Sequence, residues 1–202
     1  MRDRVIYSLC DYSGNWPKPY AEAGYDVRLV DIKHGGDVLT LEPPDEPVYG
    51  ILMAPPCTDF SLSGAQYWPT KDADGRTAQS VAIVRACLRF VNAVKPVFWA
   101  LENPIGRIQT LVPELGHFTF EFDPCDFGDA YTKRTRLWGN FNPPYPLFLG
   151  ETRAVEPVMY QAANGKRGSW QWAKLGGKSE RTKTLRSMTP MGFAKAFYEV
   201  NH

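Results

Sequence analysis

The sequence predicts an α/β protein with an open, mostly parallel sheet and helices on both faces. Apolar strand-length runs alternate with helix-period segments through the first half of the chain. The runs Val48–Ala54 and Val97–Leu101 are apolar throughout, as in strands buried on both faces of a parallel sheet. Residues able to do chemistry cluster where these strands end, which is where ligands sit in such sheets.

In chain order, Val5–Cys10 reads as a first strand, followed by a turn at Asp11–Asn15. Pro17–Ala23 reads as a helix stopped by Gly24, and Asp26–Asp31 as a second strand closing on an acid. Val48–Ala54 runs into Pro55-Pro56-Cys57. Between Thr77 and Val94, residues Val81, Val84, Cys87, Leu88, Val91 and Val94 recur at helical spacing. Pro96 ends that helix, and Val97–Leu101 leads to Glu102-Asn103-Pro104. Phe118–Phe122 and Arg134–Gly139 read as further strands, and Thr189–Asn201 returns to helical spacing. Three units follow: a core of residues 1–141, a segment of interleaved Pro, Gly, Lys, Arg and aromatics at 142–187 without visible periodicity, and a C-terminal helix at 188–202 that packs back on the core.

Composition excludes several classes. Of 202 residues 44% are hydrophobic and 22% charged, enough apolar matter for a buried core. The formal charge of +1 does not by itself mark a nucleic-acid binder, but Lys and Arg concentrate between Lys133 and Arg186. That asymmetry suggests one basic face, against the plainer reading of a solvated stretch. The cysteines Cys10, Cys57, Cys87 and Cys125 are widely spaced without zinc-type spacing, so no metal is expected. With no signal-peptide pattern and no apolar run approaching the roughly 20 residues of a membrane span, the expected setting is a reducing cytoplasm with free thiols.

Four strand ends carry the candidate chemistry: Asp11–Gly14, Asp31, Cys57 and Glu102. Cys57 follows two prolines that restrict its backbone, and the small polar residues after it suit a mobile loop closing on a substrate. The alternative is a buried core thiol, the usual fate of a free cysteine. Cys10 and Cys87 lie on core-like faces. Glu102 ends an apolar strand, where it either caps the following helix or, partly desolvated beside Cys57, shares a proton. Arg134 and Arg136 alternate on a strand and so share a face, either toward a substrate or along an exposed edge.

Taken in order, Pro56-Cys57 with Phe60-Ser61, Glu102-Asn103, and Arg134-x-Arg136 resemble the core motifs of the C5-cytosine DNA methyltransferases. The interval from Cys57 to Glu102 allows one helix and one strand, as in that family. The resemblance implies a Rossmann-like S-adenosylmethionine-dependent methyltransferase fold. It further implies Cys57 as covalent nucleophile, Glu102 at the N3 and N4 edge of cytosine, and Arg134 and Arg136 around a flipped-out base. Cytosine C5 is a poor nucleophile, and thiolate addition at C6 is what makes it reactive toward a methyl donor.

The cofactor half matches through Asp11-Tyr12-Ser13-Gly14, which resembles the family's opening turn, with Asn15-Trp16-Pro17 in place of its further glycines. Asp31 is placed for the ribose hydroxyls, and Gly36-Asp37 resembles the pair that meets adenine, though unusually close to Asp31. Tyr12, Ser13, Gly14, Asp31, Ile32, Asp37 and Pro56 are therefore the expected cofactor contacts. A glycine-poor turn suits S-adenosylmethionine better than a dinucleotide, whose pyrophosphate must approach the backbone. Other departures are Thr58 and Thr132, where the family often has Gln, and Asn201, which falls too late to equate with the last motif's asparagine.

Residues 142–187 leave almost no room for the family's target-recognition domain, so the resemblance is to a compact, bacteriophage-type member. Lys166, Arg167, Trp170, Trp172, Lys174 and Lys178 read as a reduced recognition loop, with Ser61 also on the DNA, unless the loop is merely solvated. The implied partner is double-stranded DNA, met by a monomer in a bacterial or phage-infected cell at a target of about two to four base pairs. Rival readings are a C5-cytosine methyltransferase of RNA or single-stranded DNA, a catalytically inactive DNA-binding relative, and, more distantly, a Rossmann oxidoreductase.

Overall fold

A computed structural model describes residues 4–149, 152–153, 155–161, 165, 167–170 and 179–202. The central sheet has six strands: β1 (Val5–Leu9), β2 (Asp26–Val30), β3 (Val48–Met53), β4 (Phe98–Pro104), β5 (Phe120–Phe122) and β6 (Thr135–Asn140), in the spatial order β2-β1-β3-β4-β6-β5. The first four in that order are parallel, whereas β6 runs antiparallel to both β4 and β5. The α/β class with a mostly parallel sheet stands.

Strand alternation divides the core in two. Leu9, Ile51, Met53 and Leu101 face α3 (Arg76–Val94), which answers with Val84, Cys87, Phe90 and Val91. Ile6, Leu52, Phe98, Ala100 and Leu137 face the other side. There α1 (Lys18–Glu22) contributes Tyr20, and the C-terminal helix Met191–Val200 contributes Phe193, Ala194 and Phe197. That helix is tied down at its end, where Asn201 Nδ2 donates to Asn142 O at 2.9 Å and Tyr20 Oη donates to Asn201 O at 3.0 Å. Helices therefore cover both faces.

Three expectations shift. β4 continues through Glu102 and Asn103 to Pro104, because β6 supplies antiparallel partners for both residues. A short helix, α2 (Trp68–Ala73), precedes α3, and α4 (Ile108–Leu111) follows β4; neither is long enough to show a period in sequence. Finally, the segment at 142–187 holds two small ladders, β7 (Phe148–Leu149) with β8 (Thr152–Arg153) and β9 (Met159–Gln161) with β10 (Arg167–Ser169). It also holds a helix, α5 (Glu180–Ser187), so Met191–Val200 is α6. The cap of α5 is a local feature, Ser179 Oγ accepting from the Thr182 amide at 3.2 Å, but its polar sequence carries no apolar stripe.

Candidate functional site

Chain order makes the site. From β1 the chain moves to β2 on one side and then to β3 on the other, so the sheet splits between the carboxyl ends of β1 and β3. Loops that diverge from such a split leave a crevice between them. Residues 11–15 line it from β1 and residues 54–61 from β3, with Asp31 one strand away and Glu102 in adjacent β4.

The β1 turn is built around Asp11. Its buried carboxylate accepts from Ser8 Oγ at 3.0 Å, Ser13 Oγ at 2.8 Å and the Gly14 amide at 2.9 Å. This fixes a tight turn without the further glycines. Tyr12 is left half-exposed, stacked on His34 with centroids 5.2 Å apart and with Lys33 Nζ 4.4 Å from its ring centre. Asp31 caps the next turn through Oδ1, which accepts from the Lys33 amide at 2.9 Å; among the described residues its Oδ2 takes no hydrogen bond. Ile32 beside it is 77% exposed, an apolar surface next to a free carboxylate oxygen. Asp37 is exposed and accepts from the Leu39 amide at 2.9 Å, and Pro56 is exposed on the facing loop. This donor and acceptor set fits a nucleoside: an oxygen for ribose hydroxyls and an aliphatic face for a purine.

The β3 loop is clamped by hydrogen bonds from several elements. The Phe60 and Ser61 amides both donate to Cys57 O, at 3.1 and 2.9 Å. Asn103 Nδ2 donates to Pro55 O at 3.2 Å, and Arg107 Nε donates to Asp59 O at 3.0 Å. Lys71 donates to Thr58 O and pairs with Asp59 at 3.1 Å, while Ser80 Oγ donates to Asp59 at 2.6 Å. A bridge joins Ser61 to Gly106, where a Cβ would stand 1.9 Å from Phe60 O. The expected loop closure on a substrate thus meets a turn pinned from α2, α3 and β4. No motif in the sequence marks Asp59, Lys71 or Arg107 for the site, and Asn103 enters only as the neighbour of Glu102 in the pair Glu102-Asn103. Asp59 sits two residues from Cys57, and an acid in an otherwise small-residue turn was the one local hint.

Cys57 is half-buried on this turn, with Glu102 and Lys133 within electrostatic reach. Lys133 Nζ lies 3.6 Å from Glu102 Oε1, and both side chains are largely buried. Burial pushes the Cys57 thiol above its ordinary range; Lys133 pulls it back, Glu102 pushes it further, and Arg186 of α5 weakly pulls it down. A thiol, a carboxylate and an ammonium so gathered can attack a carbon, hold a polar ring edge and offset developing negative charge.

Arg134 and Arg136 are not brought to this group. In the β4–β6 ladder Glu102 is opposite Leu137, whereas Arg136 is opposite Asn103, so Glu102 and Arg136 point to opposite faces. Arg136 Nε donates to Glu121 at 2.7 Å with its guanidinium 4.2 Å above Phe118, and Arg134 donates to Asp123 at 3.1 Å. Lys133, two residues before Thr135, shares the parity of Leu137 and so reaches Glu102.

Of the expected DNA contacts, Lys166, Trp172, Lys174 and Lys178 lie outside the described residues. Arg167 is exposed on β10. Trp170 packs edge-on against Tyr131, centroids 6.0 Å apart, and lines a cavity of about 270 Å³ with Asn15, Leu185 and Met191. Ser61 shares its hydroxyl with Ser63 at 3.0 Å. Cys87 is buried in the core and Cys10 packs against it. Among the described residues no cluster of metal-ligating side chains occurs, and no helix is long and apolar enough to cross a membrane.

No family model and no curated protein matches the chain. Among the similar solved structures are two methyltransferases. A protein described as a DNA modification methyltransferase, encoded within a prophage of E. coli, matches with a TM-score of 0.45 and 20% identity over 77% of this chain and 52% of its own. The Entamoeba histolytica methyltransferase EhMeth matches with a TM-score of 0.45 and 11% identity over 79% of this chain and 59% of its own. The chain thus spans little more than half the length of either, and the likeness is one of fold.

Proposed function

We propose that this chain is an S-adenosylmethionine-dependent methyltransferase acting on carbon 5 of cytosine in DNA. The observation that carries the reading is the juxtaposition of Cys57 with Glu102 on the ends of adjacent strands, one strand from a nucleoside-fitting crevice. Asp31, Ile32, Asp37, Pro56 and the turn Tyr12-Ser13-Gly14 would hold the cofactor, which supplies an electrophilic methyl group when bound.

The Cys57 thiolate adds to C6 of the base, and the electron pair of the C5–C6 double bond moves into the ring toward C5 and N3. Glu102 hydrogen-bonds the N3 and N4 edge and so offsets the charge that reaches N3. C5, now nucleophilic, would accept the methyl group of a bound cofactor, whose sulfur would keep the electron pair of the broken S–C bond. Loss of the C5 proton to a base then returns the electron pair and expels Cys57, so the enzyme is regenerated. A base within a duplex stack is out of reach of Cys57, so the cytosine must leave the stack. Arg167 and Trp170 are the described residues of the segment we assign to DNA, for phosphate and base contact.

Two measurements test this. Methyl transfer from tritiated cofactor is expected on duplex DNA; labelling of RNA or single-stranded DNA with duplex unlabelled would replace the substrate. Duplex DNA bearing 5-fluorocytosine is expected to form a cofactor-dependent adduct at Cys57 that Cys57→Ala abolishes. A folded wild-type protein that forms no adduct would point to a non-catalytic binder.

A further inference from the structure

A thiol held above its ordinary range needs a nearby cation or base to act as a nucleophile near neutral pH. The histidines are elsewhere: His34 is bonded to Tyr12 O, His117 lies beside Gln109, and His202 is bonded to Tyr198 O. Arg134 and Arg136 are engaged by Asp123 and Glu121 on the far face, and Lys71 is held by Asp59 and Thr58 O beneath the turn. Lys133 stands on the near face, its ammonium largely buried and 3.6 Å from Glu102.

We propose that Lys133 is the positioning cation of this site: it pairs with Glu102 when no base is present and holds the Cys57 thiolate ready for attack at C6. The inference rests on Cys57 being the nucleophile proposed above. The thiol loses its proton to water, and the charge left on sulfur sits beside an ammonium that already faces a carboxylate. When a cytosine edge occupies Glu102, the ammonium is released toward the thiolate. Among the described residues the charged groups acting on Cys57 are Lys133, Glu102 and Arg186; of these Lys133 is the larger attraction and Arg186 the weaker. Lys133 acts through Cys57 and Glu102 and need not touch the base.

The test is the pH profile of Cys57 alkylation by iodoacetamide, read by peptide mass spectrometry on the full chain without DNA or cofactor. Lys133→Gln is expected to move the profile to higher pH and slow alkylation at pH 7.5 by about 3- to 10-fold, a shift of roughly half to one pH unit. Lys133→Arg should stay within about twofold of wild type, since charge is kept. Glu102→Gln should move the profile the other way, and it gives an independent reading if Lys133→Gln does not fold. Superposable profiles for wild type and Lys133→Gln, or an unmoved profile for Glu102→Gln, overturn the proposal. A shifted profile without a 5-fluorocytosine adduct would instead sink the methyl-transfer reading and leave the cation in place; an adduct without the shift would do the reverse.

Discussion

The buried pair Asp59–Lys71 supports the turn that carries Cys57, and removing one partner gives the sharpest structural prediction. Both side chains are about a tenth exposed, with Lys71 Nζ 3.1 Å from Asp59 Oδ1. Asp59→Ala strands an ammonium whose remaining partner is Thr58 O, and it leaves the Ser80 hydroxyl without its acceptor. Breaking a buried ion pair from one side costs about 3–5 kcal/mol, because the surviving charge is desolvated and uncompensated. The Ser80 bond is part of the same loss and is not added to it. For a chain of this size each kcal/mol lowers Tm by about 2–4 °C, so a fall of roughly 10 °C is expected. Replacing both partners, as Asp59→Ala with Lys71→Met, removes the stranded charge and should cost less than Asp59→Ala alone. Urea titrations followed by tryptophan fluorescence would measure all four corners of the cycle. An Asp59→Ala cost under about 1 kcal/mol, or additive single costs, would refute the reasoning, since a truly buried pair cannot lose one member cheaply.

Three further outcomes follow from the same geometry. Gly106→Ala puts a Cβ 1.9 Å from Phe60 O, so it should destabilise by about 1–3 kcal/mol and lower the 5-fluorocytosine adduct yield; a variant with wild-type stability and adduct would show that the clamp tolerates displacement. Arg136→Ala loses the Glu121 bond and the Phe118 face, a cost of about 1 kcal/mol by urea titration, and should leave the Cys57 alkylation profile in place; a shifted profile would mean that Arg136 shares the face of Glu102 after all. The Arg107 hydrogen bonds hold the Asp72 carboxyl down at about 2, from 3.8. Its contribution to stability is present above about pH 3.8 and is lost as pH falls toward 2, so Tm against pH should fall less steeply over that window in Asp72→Asn than in wild type.

How much of this was legible in sequence differs by feature. The parallel strands were, because strands buried on both faces are written as unbroken apolar runs such as Val48–Ala54. Cys57 and Glu102 were legible as neighbours on one rim, since each directly follows or ends such a run and parallel strands share an end. α3 showed its stripe over five turns, whereas α5 had none to show. The small ladders at 148–169 are two or three residues long, too short for alternation to register.

What the sequence by itself determined is therefore the class of the fold and the strand-end rim on which Cys57 and Glu102, the thiol and carboxylate of the proposed site, lie together. Tertiary structure decided which cation joins them. In Thr132-Lys133-Arg134-Thr135-Arg136 local alternation states only that 134 and 136 share one face and 133 and 135 the other. Which face meets Glu102 depends on the register of β6 against β4, a long-range pairing that sets Leu137 opposite Glu102 and brings Lys133 to the carboxylate. The same holds for the clamp: Lys71, Ser80 and Arg107 reach the Cys57 turn because α2, α3 and the turn between β4 and α4 converge on it, and no spacing along the chain records that convergence.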